Sequence, residues 1–395
     1  MSSKVFLLAG ILVLVMSCQV KKNKKYPVLN KTSVRLESRY QELLKYPVDS
    51  TRIPRSYTKV TNKVRGVVSK DWTSGFFPGN LWQLYKITGK KEFLDKAKIW
   101  TSFVEKEKFN NEDHDIGFKV YSCFGTGYKI TGQEDYKEVI IQSAKTLSTR
   151  YSGKVGAIRS WDFNKKKWDY PVIIDNMINL ELLFEASLLT GDSRYHDIAV
   201  NHANKTLKNH FRPDNSVYHV IDYNPSNGVV RLKNTHQGLN DYSAWARGQA
   251  WAIYGYTMCY RYTKDQKYLD QAIATAHYYL DHKKLPKDGI AFWDFDDPKI
   301  PNTHIDVSAS AVVCSALYEI HGFTKKDYFL DKANLILKSL MSDKYVLDSA
   351  IKAPFILDYS TGNKPKEDEL DEPIVYGDYY FLEALVRSKE VKDSK

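Results

Sequence analysis

Apolar residues recur at three- and four-residue spacing along most of the chain, the signature of amphipathic helices. Tyr268-Leu269, Ala272-Ile273 and Ala276 show it plainly. A short motif punctuates these stretches, ending one helix near a glycine and opening the next. Ile87-Thr88-Gly89 precedes Phe93 and Ala97, Ile130-Thr131-Gly132 precedes Tyr136 and Ile140, and Leu189-Thr190-Gly191 precedes Tyr195 and Ala199. Tyr262-Thr263-Lys264 precedes Tyr268 and Ala272, and Ile320-His321-Gly322 precedes Tyr328 and Ala333. Each unit predicts a helical hairpin, and tandem hairpins stack as an open solenoid or close into a ring. An open solenoid calls for short, regular periods. The irregular spacing and long aromatic-rich loops predict instead an all-α fold, an (α/α)6 toroid of six hairpins with a funnel of loops at one end.

No Pro/Gly/Ser linker divides residues 30–390, which predicts one domain. The N-terminus departs from the helical pattern. Lys4 is followed by an apolar run from Val5 to Met16, short for a membrane span and flanked like a secretion signal. Val15-Met16-Ser17-Cys18 resembles the end of a bacterial lipoprotein signal, with cleavage before Cys18 and lipid on its sulfur. Lys21, Lys22, Lys24 and Lys25 then form a basic tether. The expected organisation is a signal peptide over 1–17, a lipidated tether over 18–30 and the toroidal catalytic domain over 31–395. Cys123, Cys259 and Cys314 lie far apart, match no metal spacing and are expected to be buried free thiols.

The formal net charge is +11, from 45 lysines against 13 arginines. Such a balance favours acidic partners. The lysines are scattered along predicted helices and no nucleic-acid motif accompanies them, so nucleic acid is not an expected partner. An anionic saccharide fits, and the membrane is expected to be met only through the lipid. The 28 tyrosines and 8 tryptophans include rings on which sugars can stack, although most of them are expected to fill the core.

Two segments carry candidate chemistry: Glu112-Asp113-His114-Asp115-Ile116-Gly117-Phe118 and Ile173-Ile174-Asp175-Asn176-Met177. Each sets a carboxylate, Asp115 or Asp175, just ahead of a helical stretch. Paired carboxylates recur where protons move to and from carbohydrate. Taken alone, each has a plainer alternative as a helix cap or solvated turn. A helix N-terminus lowers a carboxyl pKa, so an acid role for Asp175 needs opposing forces. Repulsion from Asp115 and a dry wall of Trp161 and Trp168 would supply them. In Ser243–Arg261, Arg247 and Trp251 stand four residues apart on one helical face. A guanidinium fork beside a ring suits a sugar carboxylate; the alternative for Arg247 is a structural ion pair. His219 and Gln237 lie in the loop-rich stretch before this helix, where site residues concentrate.

Asp71-Trp72-Thr73-Ser74-Gly75-Phe76-Phe77-Pro78-Gly79, His114-Asp115-Ile116-Gly117-Phe118, Asp175-Asn176-Met177, Arg247-Gly248-Gln249-Ala250-Trp251 and Tyr376-Gly377-Asp378-Tyr379-Tyr380-Phe381 are, in order, similar to motifs of the unsaturated glucuronyl hydrolases, glycoside hydrolase family 88. The resemblance spans about residues 35–390. It implies the (α/α)6 toroid independently, and a reaction in which the C4=C5 vinyl ether left by a polysaccharide lyase is hydrated. By resemblance, Asp175 protonates C4 and helps activate water for C5, and Asp115 tunes or orients it. His219, Gln237, Arg247 and Trp251 are implied substrate contacts, with Trp72, His114 and Trp161 beside them. No metal or organic cofactor is implied.

The implied ligand is an anionic unsaturated oligosaccharide, with sulfated ulvan or glycosaminoglycan fragments among the candidates. Relatives acting on sulfated fragments carry a Ser/Lys-rich loop before the Tyr-Gly-Asp motif. This chain has Thr361-Gly362-Asn363-Lys364-Pro365-Lys366 and then the acidic stretch Glu367–Glu372. The alternatives are an unsaturated rhamnogalacturonyl hydrolase of the same fold, or a non-catalytic glycan-binding lipoprotein. Cys18 is followed by Gln19, Val20 and lysines rather than by an acidic export run. The expected location is therefore the periplasmic face of an outer membrane, where small lyase products arrive after import.

Overall fold

The structure is a computed structural model and describes residues 34–393. The expectations for residues 1–30, including lipid at Cys18, lie outside the described residues. Among the described residues no helix is long and apolar enough to cross a membrane.

Six helices form an inner ring. The chain enters through α1 (Val34–Lys45) and a hairpin of β1 (Ile53–Thr58) and β2 (Lys63–Val67), then runs into α2 (Phe76–Thr88) and α3 (Lys91–Ser102). Next come α4, a wide π-helical stretch Gly117–Gly125 continuing as Thr126–Thr131, and α5 (Glu134–Ser148). The remaining pairs are α6 (Asn176–Thr190) with α7 (Ser193–Asn209), α8 (Ala246–Thr263) with α9 (Gln266–Leu280), and α10 (Val307–Thr324) with α11 (Asp327–Leu340). α12 (Val375–Asp393) is last. Helices α2, α4, α6, α8, α10 and α12 each pack on the next, and α12 returns to α2, closing the toroid.

The residues explain which helices go inside. In α6 every residue from Asn176 to Phe184 is buried, and in α10 every residue from Val307 to Tyr318. A helix apolar or small on all sides is stable only when surrounded. Outer helices keep a single buried stripe: α7 buries Ala199, His202, Ala203 and Thr206. Five hairpins are sequential. The sixth pair joins the two ends of the described chain, with α1 in the outer layer against α3. The buried Arg39 guanidinium fastens α1 by donating to the carbonyls of Phe355 (3.0 Å), Asp348 (2.9 Å) and Ile351 (2.7 Å).

Left-handed residues end five of the inner helices. Gly89, Gly132 and Gly191 cap α2, α4 and α6 at φ of 70°, 68° and 74°. Lys264 and Lys325 take the same conformation after α8 and α10. The expected turn at Ile320-His321-Gly322 therefore falls early. Ile320 and His321 are still buried, so the helix continues to Thr324.

Short strands add to the helical expectation. β3 (Tyr151–Ser152) pairs with β4 (Ala157–Ile158), and β5 (Pro171–Ile173), β6 (Val220–Tyr223) and β7 (Val230–Asn234) form an antiparallel sheet in that order. Ile173 pairs with Val220, and the Ile174 N–H donates to the His219 carbonyl at 3.0 Å. This register brings Asp175 alongside His219. Cys123, Cys259 and Cys314 are buried free thiols.

Candidate active site

Asp175 is the last residue before α6, and its side chain makes no capping bond to the helix. It points into a cleft of about 280 Å³ together with Trp72, His114, Asp115, Trp161, Gln237 and Arg247. His219 and Trp251 stand one layer behind. His219 approaches Asp175 Oδ2 with Nε2 at 3.6 Å, beyond hydrogen-bond distance. Trp251 packs against Phe118 and Tyr380 with centroids 5.4 Å apart. All nine expected residues are thus in one region, seven of them on the cleft wall. Among the described residues no group of three or more His, Cys, Asp or Glu side chains could hold a metal ion.

Burial pushes the Asp175 carboxyl up to about 7, against the opposing charge of Arg247. Desolvation thus outweighs both Arg247 and the helix N-terminus. Asp115 is also held well above the carboxylate range, first by burial and then by Asp113, with Asp175 adding repulsion and Lys119 opposing it. The expected mutual repulsion is felt mainly at Asp115; dryness raises Asp175. Trp161 supplies part of that wall, and Trp168 supports it from behind at 5.2 Å.

Loop Asp113–Asp115 is fixed from within. Lys119 Nζ holds Asp113 at 2.9 Å, and the Asp115 N–H donates to Asp113 Oδ1 at 2.8 Å. Gly117 explains the glycine of this motif, because a Cβ there would lie 2.5 Å from Asn179 Oδ1. The Asn179 side chain accepts from the Phe118 N–H at 2.9 Å, tying the Asp115 loop to the helix that begins beside Asp175. His114 Nε2 lies 3.2 Å from Asp115 Oδ1. Burial pushes the His114 imidazole down to about 3, so this contact involves a neutral ring at ordinary pH.

Arg247 combines both readings of its role. It lines the cleft, yet Nη1 donates to Asp306 Oδ2 at 2.6 Å and to the Thr361 carbonyl, while Nη2 donates to the Gly362 carbonyl. Asp306 also caps α10, accepting from Ser308 N–H at 3.1 Å. The guanidinium is therefore fixed, with its plane over Trp245 at 4.6 Å. Gln237 Nε2 donates to the same Gly362 carbonyl at 3.3 Å.

Several cleft residues were not singled out from the sequence. Tyr376 closes the floor, 5.0 Å from Trp72, inside a motif that had been recognised. Arg55 forks onto Glu369 at 2.8 and 2.9 Å and reaches Asp71 at 2.9 Å, pinning the acidic loop that forms one lip. Of the two lysines in the 361–366 loop, Lys364 is paired with Glu367 at 2.6 Å, whereas Lys366 is exposed on the cleft rim. His236 and Phe163 complete the rim. The buried His219 Nε2, Trp161 Nε1 and Tyr376 Oη lack a hydrogen-bond partner within the protein, while Trp251 acts on Asp175 as a donor that opposes its raised pKa. Unpaired polar atoms on and just behind a cleft wall can be satisfied by a polar ligand.

The chain belongs to Glycosyl Hydrolase Family 88, whose profile matches residues 48–350. It is 54% identical over 389 residues to an unsaturated glucuronyl hydrolase of Formosa agariphila, covering 98% of this chain and 97% of that one. The crystal structure of an unsaturated glucuronyl hydrolase specific for heparin superposes with a TM-score of 0.88 at 40% identity, over 92% of this chain and 96% of that chain. A variant of the unsaturated glucuronyl hydrolase of Streptococcus agalactiae, solved with dGlcA-GalNAc6S, gives a TM-score of 0.73 at 26% identity over 93% and 95%.

Proposed function

We propose that this protein is an unsaturated glucuronyl hydrolase that removes a 4,5-unsaturated uronic acid from the non-reducing end of lyase-generated oligosaccharides. The observation that carries this reading is Asp175, a dry carboxyl titrating at about 7 in a cleft of unpaired polar groups. A carboxyl so poised can hold a proton near neutral pH and give it to carbon. Protonation of C4 leaves an oxocarbenium ion at C5. Water adds there while the ionised Asp175 takes its proton, forming a hemiketal. The hemiketal collapses to a C5 ketone as the ring C–O bond breaks, and the hemiacetal left at C1 then expels the remaining oligosaccharide. Asp115, itself held largely protonated by burial beside Asp113, lies on the same cleft wall as the second carboxyl. Arg247, held by Asp306, offers a fixed positive charge to the substrate carboxylate, and Trp72, Trp161, Trp251, His114, His219 and Gln237 shape the pocket around the ring.

A sulfated neighbouring sugar, as in glycosaminoglycan or ulvan fragments, is the finer reading. It is supported by Lys366 at the rim and by the sulfated ligand of the Streptococcus agalactiae relative. The proposed location is the periplasmic face of an outer membrane, through lipid on Cys18, supported by the Val15–Cys18 pattern and the lysines that follow it.

The test uses an unsaturated disaccharide and its saturated counterpart with the same second sugar. Hydration requires the double bond, so only the unsaturated compound should be cleaved. Cleavage of both at similar rates indicates ordinary glycoside hydrolysis. Binding without cleavage of either indicates a glycan-binding protein.

A further inference from the structure

Phe163 is 48% exposed, yet its ring is held in place. It lies stacked on Trp161 with centroids 4.8 Å apart and planes at 23°, and His236 and Trp168 buttress it at 5.5 and 5.9 Å. Lone exposed phenylalanines are common and need no explanation. This one is a fixed ring on the lip of the cleft that contains Asp175. Trp161, only 8% exposed, lies deeper on the same wall. Asn363, on the loop that accepts from Arg247 and Gln237, lines the same cleft, and its Oδ1 is buried without a partner. The lip therefore presents an apolar ring to the cleft, while Asn363 Oδ1 lies beneath the surface.

A pyranose has the matching chemistry, with C–H bonds on one face and hydroxyls around its edge. If the unsaturated ring occupies the floor near Asp175, the next ring outward meets the lip. We infer that Phe163 is the stacking platform for the sugar on the leaving-group side of the scissile bond. Phe163 is thereby a specificity-determining residue that favours oligosaccharides over uronides with small leaving groups. The inference rests on the proposed glucuronyl hydrolase reading.

The experiment compares kcat/KM for an unsaturated disaccharide and for the methyl glycoside of the unsaturated uronic acid, which has no second ring. Phe163→Ala is expected to lose about tenfold on the disaccharide, mostly in KM, as the removal of one ring contact predicts. The loss on the methyl glycoside is expected to be at least about fivefold smaller, and Phe163→Trp is expected to retain disaccharide activity. Equal losses on both substrates would show that Phe163 only supports the fold of the wall. No loss on the disaccharide would show that the ring contacts nothing. If wild type consumes neither substrate, the glucuronyl hydrolase reading itself fails and takes the inference with it; a working wild type with an indifferent Phe163→Ala overturns the inference alone.

Discussion

His219 faces Asp175 Oδ2 with Nε2 at 3.6 Å because its Nδ1 is already taken, accepting the backbone N–H groups of His236 and Gln237 at 3.1 and 3.2 Å. An Nδ1 that accepts two N–H bonds cannot carry the proton, so the neutral ring carries it on Nε2. Burial reinforces neutrality by holding the imidazole pKa well below its usual value. His219 thus carries its Nε2 proton toward Asp175 from just beyond hydrogen-bond distance, and a small approach on ionisation would let it donate to the carboxylate left after proton transfer. His219→Ala should lower kcat by about 10- to 100-fold, the cost of one lost donor in a dry site. It should also move the alkaline limb of the pH–rate profile upward, because the ionised form loses support. An unchanged limb would show that His219 only fills space.

Asp175 acts in its protonated form, and its carboxyl titrates at about 7. Turnover should therefore fall as pH rises through about 7, with an apparent value shared with Asp115. Stability should follow the same group. Its folded pKa lies above the ordinary 3.8, so folding is unpenalised while the carboxyl is neutral in both states and becomes penalised as pH rises between the two values. Asp175→Asn removes that penalty. Its Tm should match wild type near pH 4 and exceed it by about 2 °C or more at pH 8. A lower Tm at pH 8 would mean that the carboxylate is well solvated in the fold.

The Arg247–Asp306 pair separates architecture from recognition. Arg247→Ala leaves Asp306 buried without its charge partner, which costs about 3–5 kcal/mol for such pairs. Adding Asp306→Asn should recover much of the Tm but little of the activity on unsaturated uronides, because the fixed charge facing the substrate carboxylate is still missing. Lysine at 247 should rescue only in part, lacking the fork that holds both Asp306 and the 361–362 carbonyls. Recovery of activity together with stability in the double variant would confine Arg247 to a structural role.

The residues that lie next to a recognisable helix start, Asp115, Asp175 and Arg247, were legible in the sequence, and so was the closed ring of hairpins. What escaped was set by tertiary pairing. The link from Arg247 to Asp306 crosses 59 positions. The β5–β6 register that seats His219 beside Asp175 joins segments too short to show a strand period. Lys325 ends α10 in place of the glycine earlier in the sequence because Ile320 and His321 still bury against the core. Phe163 and His236 carry no motif; they matter through the wall they complete.

Lipid attachment can be tested apart from catalysis. Cells expressing wild type should retain the protein in the outer-membrane fraction, and Cys18→Ser should release it to the soluble periplasm, since several acyl chains anchor where one binds only marginally. Equal recovery of both in the soluble fraction would exclude Cys18 as an anchor. Protease sensitivity on intact cells would place the domain on the outer face instead.

The most direct measurement follows the near-ultraviolet absorbance of the conjugated C4=C5 bond when purified protein meets an unsaturated disaccharide. Wild type should erase it with release of the second sugar. Folded Asp175→Asn should bind the disaccharide yet erase the absorbance about 10²- to 10⁴-fold more slowly, the usual cost of removing a general acid. Near-normal loss of the absorbance by Asp175→Asn would contradict the account.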